Sequence, residues 1–211
     1  PVFEKQNSLL NYQNCLGILP GSRRPELDRN LLLILSWIEL IPEEIINDTK
    51  ISFHMALVSS MTIEDLMKLT SSKDWKMQYS DSDALSFSLV KNNYRVNVHR
   101  NSFVKVLQSS DVVLAMAGTA AEQAIGLGKP VLQLLGHGPQ FTTAFAEAQR
   151  RLLGPTVFCA DGLVGDDTYF LNTTRILLEL FDRIGNDPSF NQLCLDQADQ
   201  RLGSAGGSDQ L

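Results

Sequence analysis

Cysteine and histidine are both scarce in this chain, which has three of each among 211 residues. The cysteines, Cys15, Cys159 and Cys194, are odd in number and widely spaced, so the sequence favours neither a disulfide framework nor a zinc site. We therefore expect no metal ion, and a reducing, cytoplasmic compartment.

Basic residues are also fewer than acidic residues. Lysine and arginine total 18 against 24 aspartates and glutamates, and the net charge is −6. A nucleic-acid partner requires a basic face, so this balance argues against nucleic-acid binding. A local basic group could still hold a phosphate.

Long hydrophobic runs are missing as well, since no window reaches the roughly 20 apolar residues that a membrane-spanning helix requires. The longest run, LLLILSWIELI from Leu31, is interrupted by Ser36 and Glu39 and is predicted to form a buried helix. The first residues, PVFEKQNSLLNYQN, lack the basic and apolar segments of a signal peptide. Their abrupt start without methionine is typical of a piece of a longer protein.

What the sequence does contain is a regular alternation of short apolar runs with segments of helical periodicity. The runs predicted as strands are NCLGILPG, KISFHMALVS, LSFSLV, YRVNVH, DVVLAMAG, KPVLQLLG and PTVFCAD. The helices are predicted in PELDRNLLLILSWIELI, from Thr62 with that residue as cap, and in SFVKVLQSS, TAAEQAIGLG, PQFTTAFAEAQRRLLG and YFLNTTRILLELFDRIG. We expect the stretch from Ser71 to Asp83 to be irregular.

This order predicts an α/β fold: a doubly wound, Rossmann-like, mostly parallel sheet with helices on both faces. We expect a single domain over residues 15–200. It would be preceded by a linker (1–14) and followed by a disordered tail (201–211).

Four segments are predicted to lie beyond the carboxyl ends of the strands, where such sheets bind ligands. Three contain glycine, which lets backbone N–H groups approach a ligand closely, and each precedes a helix whose first turn attracts anions. The segments are Pro20–Arg24, His99–Asn101, Ala117–Thr119 and Gly136–Gln140. LGILPGSRRPE contains neither the dinucleotide fingerprint nor a P-loop, so NAD and ATP are disfavoured as ligands.

Several polar residues in these segments permit two interpretations. Thr119 and Glu122 have the spacing of a helix-capping box, but Glu122 could equally meet a ligand's hydroxyls. Arg23 and Arg24 stand at a helix start, where the helix dipole disfavours cations, and an anion partner is expected for one of them. His54 is expected to pack within its strand, and Trp75 to anchor a loop.

Two stretches carry a resemblance to a known family. LGILPGSRRPELDRNL resembles the start of the C-terminal half of lipid-A-disaccharide synthases. SDVVLAMAGTAAEQAIGLGKPVLQLLGHGPQFTTAFAEAQRRLLG resembles the lipid-A-disaccharide-synthase-related proteins, a branch of the two-domain GT-B glycosyltransferases. Over Gly17 to Gly154, the resemblance implies a nucleotide-sugar-binding domain with a UDP-sugar as donor substrate and no separate cofactor. For the whole protein it implies hexosyl transfer to an acceptor, a lipid being one candidate.

The resemblance also implies roles for individual residues. Gly21, Ser22 and Arg23 would contact the diphosphate, with backbone N–H groups of Gly118 and Thr119 beside it. Arginine and helix N-termini would then stabilise the leaving diphosphate without a metal ion. Arg100 would lie by the base, and the loop of Gly136, His137, Gly138 and Gln140 would face the donor sugar, chiefly through Gln140.

Two departures from the family pattern stand out. In the synthases the pattern S-G-T-A-T-L-E places the acid at the position of Gln123, whereas this chain has Ala117 for the serine and its acid at Glu122. The ribose contact therefore stays open between Glu122 and Gln123. The acceptor-binding N-terminal half, with the general base and any peripheral membrane contact, has no counterpart here, so we expect the chain alone to bind nucleotide weakly without turnover.

Two other functions fit the same residues. One is a UDP-sugar 2-epimerase, which binds UDP in the corresponding half. The other is a non-catalytic module that retains the sugar-nucleotide-binding loops.

Overall fold

A computed structural model describes residues 14–79, 86–136, 143–163 and 166–202 of the chain. The strands are β1 (Asn14–Leu19), β2 (Ile51–Leu57), β3 (Lys76–Tyr79), β4 (Ser86–Lys91), β5 (Tyr94–Arg100), β6 (Val112–Ala115), β7 (Val131–Gln133) and β8 (Val157–Cys159). The helices are α1 (Glu26–Glu39), α2 (Glu43–Asp48), α3 (Ile63–Ser71), α4 (Phe103–Ser109), α5 (Gly118–Gly126), α6 (Thr143–Leu153), α7 (Asp167–Asn186) and α8 (Pro188–Leu202).

The strands form one sheet in the order β3-β4-β5-β2-β1-β6-β7-β8. The six strands from β5 to β8 in this order are parallel, and the β3-β4-β5 end is antiparallel. The chain leaves β1 toward β2 on one side and later returns to β6 on the other. That reversal is the point at which open α/β sheets bind their ligands.

Helices cover both faces of the sheet, as near-continuous apolar strands require. On one face α1 buries its predicted stripe of Leu27, Leu31, Ile34, Leu35 and Ile38. On the other face a separate cluster of small and branched side chains joins the sheet to α4, α5 and α6. The predicted doubly wound, mostly parallel α/β fold is confirmed.

The helix start predicted at Thr62 is also confirmed, because the Thr62 hydroxyl accepts a hydrogen bond from the Asp65 N–H at 3.0 Å. The prediction of an irregular stretch from Ser71 to Asp83 was wrong over Lys76–Tyr79, which forms the edge strand β3. Before it, Trp75 is 2% exposed and its indole N–H donates to Glu39 Oε1 at 2.6 Å. The anchoring role expected of this tryptophan is therefore confirmed.

Within the described part of the chain, no helix combines the length and hydrophobicity needed to cross a membrane.

Candidate functional site

A crevice of about 540 Å³ opens at the carboxyl ends of the parallel strands, beside the reversal between β1 and β6. This volume lies within the range of small-molecule sites. Its lining is contributed by the last residues of β1 and β2 and by the segments after β1, β2, β5 and β6: Leu19, Gly21, Ser22, Ala56, Leu57, Val58, Ser59, Asn101, Phe103, Ala117, Thr119, Ala120 and Gln123. Three of the four segments that the sequence predicted to meet are therefore brought together, at Ser22, Asn101 and Thr119.

The β1–α1 turn forms one wall of the crevice. Gly21 has φ +114°, a conformation that residues with a Cβ rarely adopt, so glycine is required there. The backbone N–H groups of Gly21, Ser22 and Arg23 find no acceptor among the described residues. The turn therefore presents several free donors beside the crevice.

The two arginines of this turn behave differently. Arg24 donates to Asp28 Oδ2 through Nε and Nη2 at 3.0 and 2.8 Å, and to Asp65 Oδ2 through Nη1 at 2.8 Å. Its hydrogen bond to Asp28 is the main cause that raises the pKa of Arg24. Arg23 is exposed and pairs with no carboxylate in the described part of the chain. Of the two, only Arg24 is therefore paired with carboxylates among the described residues.

The start of α5 forms the opposite wall. The Met116 N–H donates to the Leu19 carbonyl at 3.0 Å, so the ends of β6 and β1 are joined where the two walls diverge. The first hydrogen bond of the helix runs from the Ala121 N–H to the Ala117 carbonyl. The N–H groups of Gly118, Thr119 and Ala120 precede it and are the unpaired donors of a helix N-terminus.

Of the two interpretations of Thr119 and Glu122, the capping box is wrong. The N-cap of α5 is Ala117, which has no side chain that can cap, and Thr119 lies inside the first turn. A box would need the threonine one residue before the helix, so Glu122 has no N-terminal N–H group to satisfy.

Because the helix begins before Thr119, the two candidates for the ribose contact, Glu122 and Gln123, differ in whether they line the crevice. Gln123 lines the crevice with Thr119, four residues before it on the same helix face. Glu122 is exposed and is not among the lining residues. A side chain one position along a helix is rotated by about 100°, which accounts for the difference.

The third wall follows β5 and differs from the prediction. His99 and Arg100 are the last residues of β5 rather than a loop. Arg100 Nη2 donates to the carbonyls of Ser59 and Met61 at 3.5 and 3.3 Å, so its guanidinium supports the β2–α3 connection. Asn101 and Phe103 line the crevice in its place.

Behind this wall, His54 and His99 form a pair across β2 and β5. His54 Nδ1 and His99 Nε2 are 3.0 Å apart, and the rings are parallel within 9°. Burial, and then the charges of His99 and Lys105, lower the pKa of His54 to about 4. The packing role expected of His54 is confirmed, and its ring is neutral at physiological pH.

The fourth predicted segment is described only at its beginning. Gly136 is buried after β7, and the preceding Leu135 N–H donates to the Tyr169 hydroxyl at 2.5 Å. His137, Gly138 and Gln140 lie outside the described residues, so their expected approach to the donor sugar stays a prediction.

Chemically, the crevice combines neutral hydrogen-bonding groups with apolar surface. Among the described residues that line it, none is an acid, a histidine or a lysine. Such a site can hold an anion by backbone N–H groups and a planar apolar group by its walls. It supplies no general base from these residues.

Several members of the site escaped sequence reasoning. Asn30 of α1 is 2% exposed, and its Nδ2 donates to the Pro20 carbonyl at 2.8 Å beneath the glycine turn. The sequence contained a pattern that could have identified Asn30, because a polar asparagine occupies a position on the apolar face of the predicted helix. Phe103 carried no such signal, because it resembles any apolar residue at a helix start.

Comparison with known proteins identifies the fold. No protein-family model matches the chain, and no curated protein matches it. Among solved structures, the chain is similar to the spinosyn rhamnosyltransferase SpnG complexed with thymidine diphosphate, with a TM-score of 0.51 and 15% sequence identity. The match covers 90% of this chain and 41% of that one, so the chain spans less than half of the rhamnosyltransferase. It shares the Rossmann-like α/β fold of this rhamnosyltransferase, whereas membership of the GT-B glycosyltransferases and the relation to lipid-A-disaccharide synthases stay predictions.

Proposed function

We propose that this chain is the nucleotide-sugar-binding half of a GT-B glycosyltransferase related to lipid-A-disaccharide synthase, with a UDP-sugar as its donor. The observation that carries the proposal is the convergence of two sets of unpaired N–H groups, from the Gly21 turn and from the start of α5, on one crevice. Backbone donors and helix N-termini suit a diphosphate. The structural relative was solved with thymidine diphosphate, which supports a nucleoside diphosphate as the ligand of this fold.

In this proposal the diphosphate lies between Ser22 and Thr119, and Arg23 is the cation that meets it. The N–H groups of Gly118 and Thr119 stabilise the charge that develops on the leaving diphosphate. The apolar wall of Leu57, Val58 and Phe103 receives the base. Gln123 meets the ribose, since its amide can both donate to and accept from hydroxyl groups.

Transfer of the sugar requires a base that activates the acceptor, and the described lining residues supply none. We therefore place that base, together with the acceptor, on a second half of the protein. The lack of a base among the described lining residues also favours a second candidate function, a module that binds sugar nucleotides without catalysis.

Isothermal titration calorimetry of the chain with UDP, UDP-N-acetylglucosamine and ADP tests the proposal. We expect weak, saturable heats with a preference for the uridine nucleotides. Equal affinity for UDP and ADP favours the non-catalytic module, and no heat at millimolar UDP contradicts nucleotide binding altogether.

A further inference from the structure

The side chain of Asn30 is a buried amide in an otherwise apolar surface of α1. It is 2% exposed, whereas Leu27, Leu31 and Ile34 beside it are fully buried hydrophobic residues. Burying an amide is unfavourable unless its hydrogen bonds are made. The bond that Asn30 makes is to the Pro20 carbonyl, ten residues earlier and also buried.

This hydrogen bond acts on the first peptide unit of the crevice turn. The peptide group is planar, and in its trans form the C=O and the N–H point in opposite directions. With the Pro20 oxygen held against α1 by Asn30, the Gly21 N–H must point away from α1. Gly21 itself lines the crevice, and its N–H finds no acceptor among the described residues.

Gly21 is poorly suited to hold this orientation by itself. Glycine reaches positive and negative φ with similar ease, so the backbone at this point has no steric preference of its own. A Cβ built on Gly21 would lie 3.8 Å from Asn30 Nδ2, which places the amide directly against the glycine. Asn30 therefore provides the restraint that the glycine lacks.

We propose that Asn30 is a positioning residue, which fixes the Pro20–Gly21 peptide so that the Gly21 N–H is a preorganised donor to the anionic part of a ligand in the crevice. The inference rests on the proposed function for the identity of that ligand. It assigns a role to a residue that does not line the crevice. It also predicts that Asn30 affects the binding of the diphosphate and not that of the nucleoside.

The test is Asn30→Asp, which keeps the side-chain shape but replaces the NH₂ donor with an acceptor. The carboxylate repels the Pro20 carbonyl and accepts the Gly21 N–H if the peptide flips. We expect UDP to bind at least about tenfold more weakly to this variant, measured by calorimetry, while the affinity for uridine is unchanged. The ¹H–¹⁵N signal of Gly21 in the ligand-free protein should shift.

Asn30→Ala is the second variant, in case the aspartate prevents folding. It removes the donor without adding a charge, and a smaller loss of UDP affinity is expected, again without a loss for uridine. The matched control is Thr70→Val, which deletes another buried hydrogen bond, from Thr70 Oγ1 to the Leu66 carbonyl at 2.9 Å, away from the crevice. Thr70→Val should lower stability and leave UDP binding unchanged.

The outcomes separate the two proposals. If the unmodified chain binds UDP and both Asn30 variants bind it equally well, Asn30 has no positioning role and the proposed function survives. Equal losses for UDP and uridine, or a loss in Thr70→Val as well, also overturn the positioning role, since the effect is then general destabilisation. If the unmodified chain does not bind UDP, the proposed function fails and this inference fails with it.

Discussion

At the scale of single residues, Arg23 and Arg24 are adjacent in sequence but differ in their surroundings. Arg24 is neutralised by Asp28 and Asp65, whereas Arg23 has no carboxylate partner among the described residues. We expect Arg23→Ala to weaken UDP binding about tenfold, since a charge-assisted hydrogen bond to phosphate is lost. Calorimetric titration of the purified variant provides the measurement.

Arg24→Ala is the control for this prediction. It changes the same charge one residue away, and UDP affinity should change by less than about twofold because Arg24 contacts protein rather than ligand. A larger effect in Arg24→Ala than in Arg23→Ala would contradict the assignment.

A second residue-scale prediction concerns the ribose contact. Gln123→Ala should weaken UDP binding about fivefold, the value of one neutral hydrogen bond, and the loss should be smaller for 2′-deoxy-UDP. Glu122→Ala, one position away and outside the crevice, should leave both affinities unchanged. The reverse pattern would assign the ribose to Glu122.

The sequence could not separate these two residues, for a physical reason. Thr119 and Glu122 have the spacing of a capping box, and a helix that began after Thr119 would orient Glu122 differently. The helix instead begins at Gly118, because β6 ends at Ala115 and its neighbour Met116 is tied to the Leu19 carbonyl. This hydrogen bond is a tertiary contact with β1, and the sequence near α5 alone could not predict it.

At the scale of secondary-structure elements, the buried parallel strands were predictable because apolar residues fill them on both faces. Three elements escaped prediction: α8, which buries Phe190 and Cys194, and two others that have little apolar burial. The edge strand β3 exposes most of its residues, and α2 has no buried residue. Their positions are set by neighbouring elements rather than by their own sequence.

The close packing of α4 on β1 at Gly17 can be tested by substitution. A Cβ on Gly17 of β1 would lie 2.1 Å from Ser110 Oγ and 2.9 Å from Ser110 Cβ, at the end of α4. Gly17→Ala should therefore destabilise the protein by roughly 1–3 kcal/mol through overpacking. The free energy of unfolding is measured by urea denaturation.

Gly185→Ala is the matched control, because no atom lies within 4 Å of a Cβ at Gly185 of α7. The same substitution should there stabilise the protein by about 0.5 kcal/mol, since alanine loses less backbone entropy in a helix. Equal effects at the two sites would contradict the close α4–β1 contact.

At the scale of the whole molecule, the His54–His99 pair makes the free energy of unfolding depend on pH. His54 has a folded-state pKa of about 4, below the ordinary value of 6.5, so the unfolded chain binds a proton that the folded chain does not. Stability is therefore lost as the pH falls from about 6.5 toward 4, by up to roughly 3 kcal/mol from this residue. Urea denaturation at a series of pH values measures the loss.

His54→Gln can still hydrogen-bond to His99 but does not titrate in this range. Its stability should decline less steeply than that of the unmodified chain between pH 6.5 and 4. Parallel declines in the two proteins would show that His54 is not held neutral.

We propose that a nucleoside diphosphate binds in the crevice between the β1–α1 turn and α5. Titration of the ¹⁵N-labelled chain with UDP, followed residue by residue by NMR, tests it most directly. We expect saturable shifts concentrated at Gly21, Ser22, Thr119, Ala120 and Gln123. The absence of shifts at millimolar UDP, or shifts confined to residues away from the crevice, would contradict it.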